Sequence, residues 1–283
     1  MAQNGYANEV LVTTDWLAEH RTDENIVVAE VDENPDLYDE EHIPGAVKLH
    51  WREDLQDPVE RDIVEKDDFE RLLGQRGIGN DTAVVLYGDK NNWFAAYAYW
   101  YLKIYGHRDV RILDGGRQKW IDEGRELTAE LPSPTATSYM AQEADEGIRA
   151  RRDAVMEAIG SSAKALVDVR SPQEFSGELI APPGYEQEGA QRAGHIPSAQ
   201  SIPWAQAVRD DGTFKPADEL RQLYAGKGVT DDKVVTAYCR IGERSAHTWF
   251  VLRELLGYRD VKNYDGSWTE WGNLVDVPIE RGS

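Results

Sequence analysis

The sequence predicts an α/β protein made of two similar domains, each with a mostly parallel central sheet flanked by helices. Two observations carry this prediction. Along the 283 residues, short apolar segments alternate with amphipathic segments of helical period, which is typical of βαβ units. The same order of segments also occurs twice, which indicates an internal duplication.

Each half contains, in the same order, a first strand, a His-Ile-Pro turn, a second strand and an Asp-Gly turn. Their positions are 27–32, 42–44, 84–87 and 114–115 in the first half, and 165–170, 195–197, 234–237 and 265–266 in the second. In open parallel sheets, ligands bind where the carboxyl end of a strand runs into a helix. The sequence after each second strand is therefore the first place to look for chemistry.

A segment rich in proline and small polar residues, 128–146, has the composition of a linker and predicts domains at 1–140 and 141–283. The second half alone carries an insertion at 176–193, rich in Pro, Gly and Glu, which predicts a surface loop near the His-Ile-Pro turn. An amphipathic helix is predicted over 245–256, with Gly257 as its C-cap.

Composition excludes several classes of function. A formal net charge of −21 disfavours nucleic acids and anionic membranes as partners. No apolar run is long enough to span a bilayer, and the N-terminus lacks a basic region and an apolar region, so we expect a cytoplasmic protein. One cysteine cannot form an internal disulfide. No metal-ligand spacing or dinucleotide fingerprint occurs, so we expect no metal or cofactor. The internal duplication already builds a two-lobed unit, which is compatible with a monomer.

The single cysteine, Cys239, follows the second strand of the second half and precedes the predicted helix. Backbone N–H groups and the dipole at a helix N-terminus favour an anion there, as do the nearby Arg240 and Arg244. These effects lower the pKa of a thiol. We therefore expect a resting thiolate that acts as a nucleophile.

Four segments together resemble the tandem-domain rhodaneses, which are thiosulfate sulfurtransferases and their relatives that use 3-mercaptopyruvate. The segments are Cys239-Arg240-Ile241-Gly242-Glu243-Arg244-Ser245, Asp168-Val169-Arg170, Gly194-His195-Ile196-Pro197 and Tyr264-Asp265-Gly266-Ser267-Trp268. The resemblance runs from Val10 to Ile279. It implies two rhodanese-like domains, of which the first is catalytically silent because Gly88 or Asp89 stands at the position of Cys239.

The resemblance implies a double displacement in which Cys239 takes the outer sulfur of thiosulfate as a persulfide and passes it to cyanide or a thiol, including a thiol on another protein. On this scheme the first step needs no dedicated base. Two alternatives stay open: a 3-mercaptopyruvate sulfurtransferase, and a persulfide carrier that serves protein thiols. Four residues separate Cys239 from Arg244, and related phosphatases have a loop one residue longer, which disfavours a phosphatase.

The charges of the loop favour a small anionic donor such as thiosulfate, because two arginines outnumber Glu243. The family pattern departs at Glu174, where many relatives have an arginine that holds the donor. We therefore expect Arg244 or Arg192 to supply that charge, with Trp93, Phe94 and Trp204 lining the pocket and Asp168 and Arg170 supporting the loop. Arg240 has two open roles, donor contact or a pair with Asp168. Glu243 is either a carboxylate stabilised by the helix dipole or a catalytic group.

Overall fold

The computed structural model describes residues 3–185 and 189–282, which form two compact units. The N-terminal unit comprises Glu9–Asp145 and the short segment Val208–Phe214. The C-terminal unit comprises the described residues up to Asn8, then Glu146–Ala207 and the chain from Lys215 onward. The division at residues 140 and 141 stays a prediction drawn from the linker-like composition of 128–146.

The N-terminal unit has a five-stranded, all-parallel sheet in the order β1-β5-β4-β2-β3. Its strands are β1 (Leu11–Val12), β2 (Ile26–Glu30), β3 (Val47–Lys48), β4 (Ala83–Tyr87) and β5 (Val110–Leu113). Its helices are α1 (Thr14–His20), α2 (Asp36–Glu40), α3 (Lys66–Gln75), α4 (Trp93–Ile104) and α5 (Gly116–Asp122).

The C-terminal unit repeats this plan with a four-stranded, all-parallel sheet in the order β7-β6-β8-β9. Its strands are β6 (Lys164–Asp168), β7 (Gln200–Ser201), β8 (Val234–Tyr238) and β9 (Val261–Tyr264). Its helices are α6 (Arg152–Ala158), α7 (Pro172–Ser176), α8 (Ala217–Ala225), α9 (Glu243–Phe250) and α10 (Ser267–Trp271). The predicted α/β class with parallel sheets is confirmed.

The helix that follows Cys239 begins earlier than its apolar pattern predicts. Helix α9 begins at Glu243 and its eight residues are all buried. It continues as a π-helical turn over Val251–Leu255, and the chain leaves it through Gly257 in a left-handed conformation, φ +75°. The early start leaves only residues 239–242 between strand and helix, which is what holds the cysteine close to the helix N-terminus.

The register of the two sheets identifies the silent counterpart of Cys239. In the N-terminal unit Glu30 lies opposite Tyr87, and in the C-terminal unit Asp168 lies opposite Tyr238, so Gly88 and Cys239 each follow the corresponding strand end. A Cβ atom on Gly88 would lie 2.0 Å from the carbonyl oxygen of Val31. That position therefore has no room for a thiol-bearing side chain.

The remaining expectations concern the insertion, membrane-spanning helices and metal sites. The insertion at 176–193 contains residues 186–188, which lie outside the described part of the chain. Within residues 3–185 and 189–282, no helix has the length and apolarity needed to cross a membrane, and no group of three or more His, Cys, Asp or Glu side chains could hold a metal ion.

Candidate active site

Cys239 lies at the carboxyl edge of the C-terminal sheet, between the end of β8 and the start of α9. Its side chain is fully buried. The backbone N–H of Gly242 donates to Sγ at 3.2 Å, and the Ser245 hydroxyl lies 3.6 Å from Sγ. The short loop therefore places the Gly242 N–H and the Ser245 hydroxyl beside one sulfur atom.

The loop depends on a glycine at position 242. Gly242 has φ +102°, and a Cβ atom there would lie 2.7 Å from the Cα of Asp265. Glycine adopts this conformation at low cost because it has no side chain. It also leaves room for the backbone of Asp265, the residue that follows β9. The conformation aims the Gly242 N–H at Sγ.

We expect Gly242→Ala to destabilise the protein and slow sulfur loading of Cys239. Strain at positive φ costs about 1–3 kcal/mol, and the clash with Asp265 adds to it. Displacement of the Gly242 N–H should slow loading by about ten- to a hundredfold. Single-turnover loading and chemical denaturation measure both effects.

Gly228→Ala is the matched control for that substitution. Gly228 also has positive φ, +72°, but a Cβ atom there meets only the end of the Lys233 side chain at 3.9 Å. Gly228→Ala should lower stability through backbone strain but should not slow the sulfur loading of Cys239. Equal loading rates in the two variants would contradict a role for the loop conformation.

The pKa expected for the thiol was wrong. Burial and then the negative charge of Glu243 raise the pKa of Cys239, and these outweigh the opposing effects of Arg244 and the Ser245 hydroxyl. The sequence showed the arginines and the helix N-terminus but not the depth of burial. This environment therefore favours the thiol over the thiolate.

Glu243 is the carboxylate in contact with the sulfur. Its Oε2 atom lies 3.1 Å from Cys239 Sγ and also accepts the backbone N–H of Ile241 at 3.2 Å. Its Oε1 atom lies 3.5 Å from Nη2 of Arg240 and 3.5 Å from Nε of Arg244. The side chain is fully buried. Contact with Sγ favours the catalytic one of its two open roles.

Arg244 pairs with Glu174, the residue found where many members of the family have an arginine. Both terminal nitrogens of Arg244 donate to the Glu174 carboxylate, at 3.0 and 3.1 Å. Glu174 also closes a capping box with Ser171 at the start of α7. Burial raises the pKa of Glu174, but the charge and hydrogen bonds of Arg244 outweigh it and hold that pKa below its usual value. The two charges therefore form a buried ion pair.

This pair changes the charge balance expected at the site. From the sequence alone, Arg240 and Arg244 outnumber Glu243, so a positively charged loop was expected. Glu174 adds a second negative charge, so the four buried side chains sum to zero before the thiol is counted. Attraction of an anionic donor must then come from local geometry and from the helix N-terminus rather than from excess charge.

Asp168 and Arg170 pair with each other at the end of β6. Two nitrogens of Arg170 contact the Asp168 carboxylate, with the shortest distance 2.6 Å, and Arg170 also donates to the Gly194 carbonyl at 2.7 Å. Its guanidinium lies 4.4 Å from the ring of Trp268. Asp168 therefore pairs with Arg170 and not with Arg240, the partner considered from sequence. Arg240 instead contacts Glu243, and its guanidinium lies 4.2 Å from the ring of Tyr185.

The structure does not bring Arg192 to the sulfur. Its guanidinium donates to backbone carbonyls at the end of α10 and just beyond it, namely those of Trp271, Gly272, Leu274 and Val277. The described contacts place four of the predicted residues. Arg240 and Arg244 contact Glu243 within the loop, Arg192 grips the segment after α10, and Trp204 lies edge-on to His247 at 5.2 Å.

Trp93 and Phe94 belong to the N-terminal unit, where they begin α4. Both are buried, and Phe94 packs on Trp51 with a centroid distance of 4.7 Å. Their contact with a donor, like that of Arg192 and Trp204, stays a prediction.

Three supporting contacts were not assigned from sequence. The Ser267 hydroxyl accepts the backbone N–H of Cys239 at 3.0 Å. Asn263 accepts the Ser245 hydroxyl at 2.6 Å and donates to the Gly242 carbonyl at 3.0 Å. Arg149 binds Asp265 through two nitrogens. Ser267 and Asp265 stood in the quoted motif, but Asp265 recurs in both halves and was interpreted as a turn former, and Asn263 gave no signal.

Comparison with known proteins identifies the family. The rhodanese-like domain family matches the chain twice, over residues 13–123 and 152–274. A protein of Saccharopolyspora erythraea with the name "Putative thiosulfate sulfurtransferase" is 62% identical over 273 residues, 96% of this chain and 96% of the relative. The sulfur carrier protein TtuD of Thermus thermophilus is 60% identical over 282 residues, 98% of this chain and 99% of TtuD.

Two solved structures show the same fold at lower identity. The anaerobic ergothioneine biosynthesis enzyme of Chlorobium limicola, in complex with trimethyl histidine, has a TM-score of 0.83 and 26% identity, covering 97% of this chain and 70% of that one. A variant of EanB with ergothioneine covalently linked to a persulfide cysteine has a TM-score of 0.84 and 26% identity, with the same coverage.

Proposed function

The chain belongs to the rhodanese-like domain family and is a sulfurtransferase by that membership, and from this premise we propose that it moves the sulfane sulfur of thiosulfate through a persulfide on Cys239. The observation that carries the proposal is the position of Sγ. It lies under the Gly242 N–H at the N-terminus of α9 and is the chain's one thiol. No second thiol is present to discharge a persulfide as an internal disulfide.

The reaction has two half-reactions. In the first, Sγ bonds the outer sulfur of thiosulfate, and the bond between the two donor sulfurs breaks with its electron pair on sulfite. In the second, cyanide or a thiolate bonds that outer sulfur, and the bond to Sγ breaks with its electron pair on Cys239. N–H donors at the helix N-terminus stabilise the charge on sulfur in both directions. The one free thiol suits the reducing environment of the cytoplasm, where we place the protein.

Thiosulfate is proposed over 3-mercaptopyruvate because two guanidinium groups lie in the loop. Arg240 and Arg244 lie in the loop, where a dianion can meet guanidinium groups at short range despite the overall charge balance. We expect faster loading of Cys239 from thiosulfate than from 3-mercaptopyruvate when both are compared by intact mass in single turnovers. A large preference for 3-mercaptopyruvate would overturn the choice of donor and leave the persulfide in place.

A persulfide carrier is the second candidate, and the 60% identity to the sulfur carrier protein TtuD favours it. The same Cys239 persulfide serves either role, so the acceptor distinguishes them. Loaded protein should be mixed with cyanide in one reaction and with a thiol-bearing protein in another. Fast discharge to cyanide supports the thiosulfate:cyanide enzyme, whereas slow discharge to cyanide with fast discharge to the protein thiol supports the carrier.

A further inference from the structure

The buried sulfur site contains a proton acceptor that the simple thiolate scheme does not include. Cys239 is buried and its environment favours the thiol, so a proton must leave Sγ before or during attack. The Glu243 carboxylate lies 3.1 Å from Sγ, within the reach expected of a general base. Ser245 lies 3.6 Å from Sγ but gives its one hydroxyl proton to Asn263 at 2.6 Å, and a neutral hydroxyl is too weak a base to take the thiol proton.

The Glu243 side chain is fixed in one orientation within the loop. Its Oε1 atom faces the guanidinium groups of Arg240 and Arg244, each at 3.5 Å. Its Oε2 atom accepts the Ile241 N–H, which orients the carboxylate toward the loop. The side chain has no contact with solvent, so a proton taken from Sγ stays in the site.

From these contacts we infer that Glu243 is a catalytic residue that takes the proton of Cys239 as the persulfide forms and returns it as the persulfide is discharged. The inference rests on the proposed function. It replaces the expectation that the first step needs no dedicated base.

The proton and electron balance closes over both half-reactions. In the first, the Sγ–H proton moves to Oε2 as Sγ bonds the outer sulfur of thiosulfate, sulfite leaves with the electron pair of the broken S–S bond, and the persulfide is anionic. In the second, the acceptor anion bonds the outer sulfur, Sγ receives the electron pair of the S–S bond, and Oε2 returns the proton to Sγ. No other reactant is needed, and the thiol and carboxylate are regenerated.

The test is the pH dependence of sulfur loading, measured in single turnovers with thiosulfate from about pH 6 to about pH 9. In the natural protein, the proton moves within the Cys239–Glu243 pair, so the loading rate should be nearly independent of pH while the pair holds one proton. In Glu243→Gln, thiolate forms only by loss of the proton to solvent. Below the thiol pKa of that variant, loading should fall about tenfold for each pH unit.

Direct titration of the thiol supplies the reference point. The negative charge of Glu243 raises the pKa of Cys239, so Glu243→Gln should lower that pKa. Ultraviolet absorbance of the thiolate, measured against Cys239→Ser, gives the titration midpoint of each protein. The acid limb of loading in Glu243→Gln should coincide with its own thiol titration, whereas loading in the natural protein should persist where its cysteine is still a thiol.

Glu174→Gln is the matched control, because it also removes one buried negative charge from the site. Glu174 binds Arg244 and Ser171. Glu174→Gln should keep a loading rate that is independent of pH, whatever the value of that rate. Glu243→Asp retains a carboxylate and should also keep a pH-independent rate, at a lower value, which preserves the test if Glu243→Gln does not fold.

Two results would overturn the assignment, and they are distinguishable from each other. A pH-independent rate in folded Glu243→Gln at pH values where its cysteine is protonated would show that Glu243 does not carry the proton. A natural protein that loads no sulfur from any donor would overturn the proposed function itself.

Discussion

Cys239→Ser is expected to abolish sulfur loading and to lower sulfurtransferase activity by at least about three orders of magnitude, because a serine hydroxyl cannot form the persulfide. Cys239 is the chain's one cysteine, so no other thiol can substitute for it. Incubation with thiosulfate followed by intact-mass measurement should add one sulfur atom to the natural protein and none to the variant.

The fold should survive that substitution. The serine hydroxyl would replace a thiol whose neighbours, the Glu243 carboxylate and the Gly242 N–H, can accept and donate a hydrogen bond. A change of about 1 kcal/mol or less in the free energy of unfolding is expected. A sulfur adduct that persists in the folded variant would contradict the assignment of Cys239 as the nucleophile.

The sequence predicted where Cys239 lies in the fold because that position follows from chain order. A second strand, one cysteine and a helix within a duplicated pattern place Cys239 at a sheet edge. The left-handed Gly242 and the short interval to Arg244 follow from the same local sequence. Local order therefore suffices for the loop, and the parallel sheets follow from the alternation of strands and helices.

The direction in which the pKa of Cys239 is shifted could not be predicted in the same way. Charges can be counted from spacing, but burial and side-chain direction depend on packing from distant segments. Glu243 lies beside Sγ rather than in solvent, and Glu174, 70 residues before Arg244, closes on that arginine. Both placements oppose the positive potential that the sequence suggested.

The duplicated halves also differ in how they bind the strand-end carboxylate. In the C-terminal unit, Arg170 from the strand end pairs with Asp168 and lies on the ring of Trp268. In the N-terminal unit, the position of Arg170 is Asp32, and Arg117 on α5 pairs with Glu30. Each unit keeps one arginine on this carboxylate but takes it from a different element, which a repeat read position by position does not reveal.

Loss of Arg244 should have the second large effect, on both stability and sulfur loading. Arg244→Gln leaves the Glu174 carboxylate, which is 1% exposed, without its charged partner. Removing one member of a buried ion pair costs about 3–5 kcal/mol. Arg244 also lowers the pKa of Cys239, so its loss should raise that pKa further and slow loading near neutral pH. Denaturation and single-turnover loading measure the two effects.

The double variant Arg244→Gln with Glu174→Gln separates charge from geometry. If the cost in stability comes from the uncompensated Glu174 charge, the double variant should recover most of it, and the two substitutions should be strongly non-additive. Arg192→Gln is the matched control, because Arg192 binds backbone carbonyls and no carboxylate in the described part of the chain. It should slow donor loading less than Arg244→Gln does. Equal losses of loading in the two arginine variants, or additive costs in the double variant, would mean that the Glu174–Arg244 pair is not what holds the loop around the sulfur.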